Sequence, residues 1–168
     1  MCTQNQKKFS TLFLDRDGVI NHKIEGYIQS FSDFHFIDGI KESICKLHHL
    51  FDRMIIVTNQ QGIGKKLMSI ADLDSVHAEM ILEIESSGGK IDNIYYCPHL
   101  SSVNCDCRKP KIGMFLQARR DFKDIDFHKS ILLGDSDSDI QAAESIGIKA
   151  IKVSLEYTLA DWVKDFIH

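Results

Sequence analysis

Short apolar runs alternate along this chain with longer amphipathic stretches. Residues 11–14 (TLFL) predict a buried strand. Behind Asp38, the residues Ile40, Ile44, Leu47 and Leu50 recur at helical spacing, which predicts a helix capped by that aspartate. Residues 54–57 (MIIV) are apolar throughout and partly β-branched, as in a strand covered on both faces. Ser69 with Asp72 three residues on has the form of a capping box. The stripe that follows, Leu73, Val76, Met80, Ile81 and Ile84, predicts a helix ending at Ser86-Ser87-Gly88-Gly89. Further strands are predicted at 91–96, 130–133 and 149–153, with helices at 114–120 and 137–146. The tail around Trp162 fits either a last helix or an edge strand. Strand and helix in alternation predict an α/β fold, a Rossmann-like, doubly wound, mainly parallel sheet of five to six strands with helices on both faces.

Composition narrows the function classes. A chain of 168 residues suits one domain, expected over 1–168, and buries enough surface to fold without disulfide staples. Lys plus Arg is 20 and Asp plus Glu is 24, a net charge of −4 that argues against a nucleic-acid partner. The N-terminus has no apolar segment behind its charges, and no apolar run is long enough to span a bilayer. A cytoplasmic protein with no membrane partner is expected, and a monomer, since no long heptad calls for a second copy. In the cytosol the five cysteines are expected as thiols or metal ligands.

The polar residues fall where the strands end. Asp15 and Asp17 follow the first strand, Thr58 and Asn59 the second, and Asp135, Asp137 and Asp139 the fourth. In an open parallel sheet these ends form the ligand crevice. Helix capping explains Asp137 and Ser138, but Asp15-Arg16-Asp17-Gly18 precedes a long loop instead of a helix. Carboxylates gathered from two strands need a positive partner, and Mg²⁺ suits one or two carboxylates with phosphate oxygens. One carboxylate can then attack phosphorus while a second, two residues away on the same face, handles the proton. Lys109 is the lysine expected to neutralise the phosphoryl oxygens. Asp139 is read as a helix cap that steadies Asp135, in preference to a water-mediated metal contact. Gly62-Ile63-Gly64-Lys65-Lys66 lacks the spacing of a Walker A phosphate loop. His48, His49, His77 and His128 read as surface or core-edge histidines.

Cys97, His99, Cys105 and Cys107 supply four soft or borderline ligands in one loop. Zinc takes such sets tetrahedrally. Free cytosolic thiols are the other reading, and the spacing alone leaves both open.

Four segments together resemble the motifs of the haloacid dehalogenase superfamily of phosphatases. They are Phe13-Leu14-Asp15-Arg16-Asp17-Gly18-Val19-Ile20-Asn21, Val57-Thr58-Asn59-Gln60, Arg108-Lys109-Pro110-Lys111 and Leu133-Gly134-Asp135-Ser136-Asp137-Ser138-Asp139-Ile140. The extended DRDGVIN, the TNQQGIG and the Cys97-Pro98-His99 and Cys105-Asp106-Cys107 pairs resemble one subfamily in particular. It comprises the D-glycero-D-manno-heptose 1,7-bisphosphate 7-phosphatases and the related histidinol-phosphate phosphatases. The resemblance implies a minimal or absent cap, Asp15 as nucleophile and Asp17 as general acid/base. It implies Mg²⁺ on Asp15, the Asp17 backbone carbonyl and Asp135, and Thr58 and Lys109 on the transferring phosphoryl group. It further implies zinc on Cys97, His99, Cys105 and Cys107, clasping the loop that presents Arg108 to the substrate. Lys23, Gly26 and Tyr27 match the substrate loop, and Asn59, Gln60 and Gln61 match the segment beside the second strand.

The leading expectation is removal of the 7-phosphate of a heptose bisphosphate, a phosphorylated small molecule. Lys23, Lys65, Lys66, Arg108 and Lys111 offer more cationic groups than one phosphate needs. Histidinol phosphate is the rival substrate. A receiver domain would carry its phosphoacceptor after the third strand, where this chain has the Cys/His loop. A non-catalytic zinc module would leave Asp15, Asp17 and Asp135 unexplained.

Overall fold

The computed structural model describes residues 8–167; Cys2 lies outside them. Five strands, β1 (Phe9–Leu14), β2 (Phe51–Asn59), β3 (Asn93–Cys97), β4 (Ile131–Gly134) and β5 (Lys149–Lys152), form one sheet in the order β3-β2-β1-β4-β5. Every pairing is parallel. The helices are α1 (Ile40–Leu47), α2 (Ile70–Ser86), α3 (Gly113–Asp121), α4 (Asp137–Ser145) and α5 (Leu159–Ile167). The sequence expectation of a doubly wound parallel sheet therefore holds, with five strands.

Side chains alternate across the sheet, because successive residues of a strand point to opposite faces. Leu12, Leu14, Met54, Ile56, Ile131 and Leu133 pack beneath α1, α2 and α5. Phe13, Ile55, Val57 and Leu132 face α3 and α4. The central strands are thus buried on both sides, which is why they read as continuous apolar runs. The edge strand β5 begins and ends on exposed lysines, a charge pattern that discourages pairing with another chain.

Caps set the helix starts. Ser69 and Asp72 form the expected capping box on α2. A second box, Ser136 with Asp139, opens α4, so the cap there is Ser136. Asp137 instead points outward to Lys152, 2.6 Å away. Asp38 does not cap α1. Gly39 takes that place in a left-handed conformation (φ 76°) and carries the chain into the helix with no side-chain cap. Leu50 lies beyond α1, in the turn that pairs with Phe9. The tail resolves as α5: Thr158 and Asp161 hydrogen-bond reciprocally at its start, and Leu159, Trp162 and Val163 are buried. Among the described residues no helix is long and apolar enough to cross a membrane.

Strand order reverses between β1 and β4, so their carboxyl ends open onto a shared crevice. The Asp15 amide donates to the Leu133 carbonyl at 3.0 Å and carries the β1–β4 contact to its edge. Phe13, fully buried in β1, packs edge-on against Phe115 at 5.1 Å between ring centroids. Phe13→Ala is expected to cost about 3–5 kcal/mol by cavity formation. Denaturant titration checks this; a loss below about 1 kcal/mol would contradict the packing described.

Candidate active site

The crevice is a cavity of about 260 Å³ walled by residues from all four motifs or their flanks, including Asp15, Asp17, Lys23, Asn59, Lys109, Asp135 and Ser136. Carboxylate oxygens of Asp15, Asp135 and Asp139 all lie within 4.8 Å of one another. Two glycines make this approach possible. A Cβ on Gly18, whose φ is +86°, or on Gly134 would collide with the side chains of Asp135 and Asp139 respectively.

Lys109 answers the negative charge. Its ammonium is buried and lies 3.0 Å from Asp15 Oδ1 and 2.6 Å from Asp139 Oδ1. It also donates to the Val57 carbonyl at 2.6 Å. Burial by itself would lower the lysine's pKa, but the two carboxylates hold it above the usual value. Desolvation pushes Asp15 up to about 7, against the pull of Lys109. The second oxygen of Asp139 accepts from the Ser136 amide, so one carboxylate both caps α4 and pairs with Lys109. The capping role was legible in the sequence; the bond to Lys109 was not.

Asp17 stands apart from the three clustered acids. Its Oδ1 accepts from Asn21 Nδ2 at 2.9 Å and its Oδ2 from Gln60 Nε2 at 2.8 Å. The Arg16 guanidinium donates to both oxygens. Burial alone would raise this carboxyl, but Arg16, Asn21 and Gln60 outweigh it and hold it below the usual carboxylate range. The Gln60 amide also donates to the Thr58 hydroxyl at 3.0 Å, tying the second motif to the first.

The other expected site residues divide. Lys23, Gly26, Tyr27, Asn59 and Gln60 line the cavity, with Lys23 paired to Asp135 Oδ2. Asn59 also clamps the lysine segment: its Oδ1 accepts from the Lys109 amide at 3.1 Å and its Nδ2 donates to the Lys109 carbonyl at 3.2 Å. Thr58 is buried, and Thr58, Gln61 and Arg108 are not in the cavity walls. Arg108 faces an adjoining cleft with Ser101, Asn104 and Lys111. Arg16, Ser136 and Ser138 line the cavity without having been singled out. Arg16 lay between two marked acids, and that position was the available signal.

Among the described residues, two donor sets could hold metals. At the carboxylate cluster, Asp135 Oδ1 is buried with no hydrogen-bond donor among the described residues, which leaves lone pairs for a cation. A hard cation fits these oxygens. At the end of β3 and in the loop after it, Cys107 Sγ lies 3.1 Å from Cys97 Sγ and 3.5 Å from Cys105 Sγ, and His99 Nδ1 lies 3.2 Å from Cys107 Sγ. These separations exceed the roughly 2.05 Å of a disulfide. They approach the edges, about 3.8 Å, of a tetrahedron with zinc–sulfur bonds near 2.3 Å.

Comparison with known proteins places this geometry. The family model described as polynucleotide kinase 3 phosphatase matches residues 10–162. The D-glycero-beta-D-manno-heptose-1,7-bisphosphate 7-phosphatase of Vibrio cholerae is 42% identical over 144 residues, covering 82% of this chain and 76% of that protein. The D-glycero-alpha-D-manno-heptose-1,7-bisphosphate 7-phosphatase of Campylobacter jejuni is 40% identical over 161 residues, covering 95% and 91%. Among solved structures, D,D-heptose 1,7-bisphosphate phosphatase from B. bronchiseptica, complexed with magnesium and phosphate, superposes with a TM-score of 0.87. It is 28% identical and covers 94% of this chain and 98% of that one. On this likeness of sequence and fold along most of its length, the chain belongs to the heptose 1,7-bisphosphate 7-phosphatase family, phosphomonoester hydrolases of the haloacid dehalogenase superfamily.

Proposed function

We propose that this chain removes the 7-phosphate of a D-glycero-D-manno-heptose 1,7-bisphosphate by way of a phosphoryl group carried on Asp15. The observation that carries this reading is the buried cluster of Asp15, Asp135 and Asp139 around the Lys109 ammonium, at the crevice where such chemistry is expected. Lys109 holds one oxygen of Asp15 and leaves the other to attack phosphorus. As the Asp15–phosphorus bond forms, the bond from phosphorus to the sugar oxygen breaks, and Asp17 gives its proton to the departing alkoxide. Asp17 then takes a proton from water, whose oxygen attacks phosphorus and frees the Asp15 carboxylate. In the chain alone Asp17 is held ionised by its donors. The arriving phosphate dianion raises it by like-charge repulsion, so that Asp17 takes up from solvent the proton it gives to the alkoxide, and the later water restores that proton.

Asp15 and Asp135, with the Asp17 backbone carbonyl, are the proposed Mg²⁺ ligands. Mg²⁺, when bound, supplies positive charge that keeps Asp15 ionised and offsets charge on the phosphoryl oxygens. The magnesium and phosphate in the B. bronchiseptica structure support this choice of ion. Zn²⁺ is proposed on Cys97, His99, Cys105 and Cys107, where it would stiffen the segment that leads directly into Arg108 and Lys109. Lys23 and Tyr27 at the cavity, and Arg108 beside it, are proposed to meet the sugar and its second phosphate.

Phosphate release with Mg²⁺ tests the reading, comparing both anomers of heptose 1,7-bisphosphate with histidinol phosphate. The bisphosphate is expected to be preferred, and Asp15→Asn is expected to lower its turnover on the order of 10³-fold or more. Preference for histidinol phosphate would overturn the substrate assignment, and unchanged turnover in Asp15→Asn would overturn the nucleophile. Metal analysis of protein expressed with zinc available is expected to give one zinc per chain, lost in Cys107→Ser with a lower melting temperature. A wild-type chain free of zinc would contradict the clasp.

A further inference from the structure

A buried histidine outside the cavity meets the arginine that holds Asp17. His77, on α2, is 6% exposed, and its Nε2 lies 3.1 Å from Nη1 of Arg16, which is 1% exposed. The other face of the guanidinium fork meets Asp17: Nη2 donates to Oδ1 at 3.0 Å and to Oδ2 at 3.2 Å, and Nε donates to Oδ1 at 3.3 Å. The Phe34 ring lies 6.0 Å from the guanidinium carbon, so the pair sits against an apolar wall. Arginine is a permanent cation with five donors and no acceptor. A histidine facing it must therefore be neutral, with Nε2 as acceptor and the proton on Nδ1. Burial and the neighbouring Arg16 charge push His77 down to about 3, in the same sense. Without His77, a buried Nη1 would have no acceptor, and the fork could turn away from Asp17 to find one.

We propose that His77 is a positioning residue for phosphoryl transfer, fixing the Arg16 fork so that Asp17 is aimed at the leaving-group oxygen. Three donors, Arg16, Asn21 and Gln60, then hold the carboxylate, and the helix α2 supports the first of them through His77. This inference rests on the general acid/base role proposed for Asp17. Its consequence is selective. In the first step, which kcat/KM reports, a sugar alkoxide needs the proton that Asp17 delivers, whereas p-nitrophenolate leaves without one; the later proton transfer from water is common to both substrates.

The test compares wild type, His77→Leu and His77→Gln, with Mg²⁺, on heptose 1,7-bisphosphate and on p-nitrophenyl phosphate. His77→Leu is expected to lower kcat/KM on the sugar substrate about tenfold or more, and on p-nitrophenyl phosphate by less than about threefold. A glutamine side chain restores an acceptor through its amide oxygen, so His77→Gln is expected within about threefold of wild type on both. Equal losses of kcat/KM on both substrates, no loss, or no recovery in His77→Gln would overturn the positioning role. Nitrogen NMR of wild-type protein needs no variant to fold: an unprotonated Nε2 is expected, and a protonated one would overturn the inference. If wild type releases phosphate from neither substrate while Nε2 is unprotonated, the phosphatase reading fails and the His77–Arg16 contact does not.

Discussion

One buried ammonium organises this molecule. Lys109 lies between Asp15 and Asp139, side chains delivered by β1 and by the start of α4, and all three are largely closed to water. Removing one partner from such a set leaves an uncompensated buried charge, at a typical cost of about 3–5 kcal/mol. The arrangement persists because several elements converge on it. The β1–β4 pairing brings the two acids together. Gly18 and Gly134 allow the close approach. Asn59, at the end of β2, grips the Lys109 backbone from both sides. The Cys/His loop that follows β3 ends immediately before Arg108 and Lys109, so any ion that closed it would act on this lysine first.

The two acids of the first motif sit two residues apart in opposite surroundings. Asp15 is desolvated and raised, and it depends on positive charge to stay ionised. Asp17 is enclosed by donors and lowered. Pairs of carboxyls whose environments push them apart are how one fold assigns separate acid, base and nucleophile roles. Here the separation is achieved by distinct partners: Lys109 for the first, and Arg16, Asn21 and Gln60 for the second.

Most of the fold was legible because the central strands are buried on both faces and the helices carry clear apolar stripes. The α2 start was readable from Ser69 and Asp72, since a capping box is a local signal. Asp38 misled for a local reason as well: Gly39 supplies a backbone conformation that no pattern of polar side chains announces. The tail was left open although Leu159, Trp162, Val163 and Phe166 recur at helical spacing; Trp162 and Val163 settle it by packing against the sheet. In the site, the acids, the lysine and the Cys/His set were visible as motifs. Their partnerships were not. Asp139 reads as a cap, and its bond to Lys109 joins the first turn of α4 to the loop before α3. His77 reads as an ordinary core-edge histidine until the fold sets it against Arg16. Contacts between residues distant in sequence depend on topology, and local patterning carries no record of them.

The central claim is that Asp15, held against Lys109, carries the phosphoryl group. Acid quenching of the Mg²⁺-loaded enzyme during turnover of heptose 1,7-bisphosphate, followed by peptide mass spectrometry, tests it most directly. The account predicts a phosphoryl group on the peptide containing Asp15, absent in Asp15→Asn. Steady turnover with a phosphoryl group trapped on another residue would contradict it.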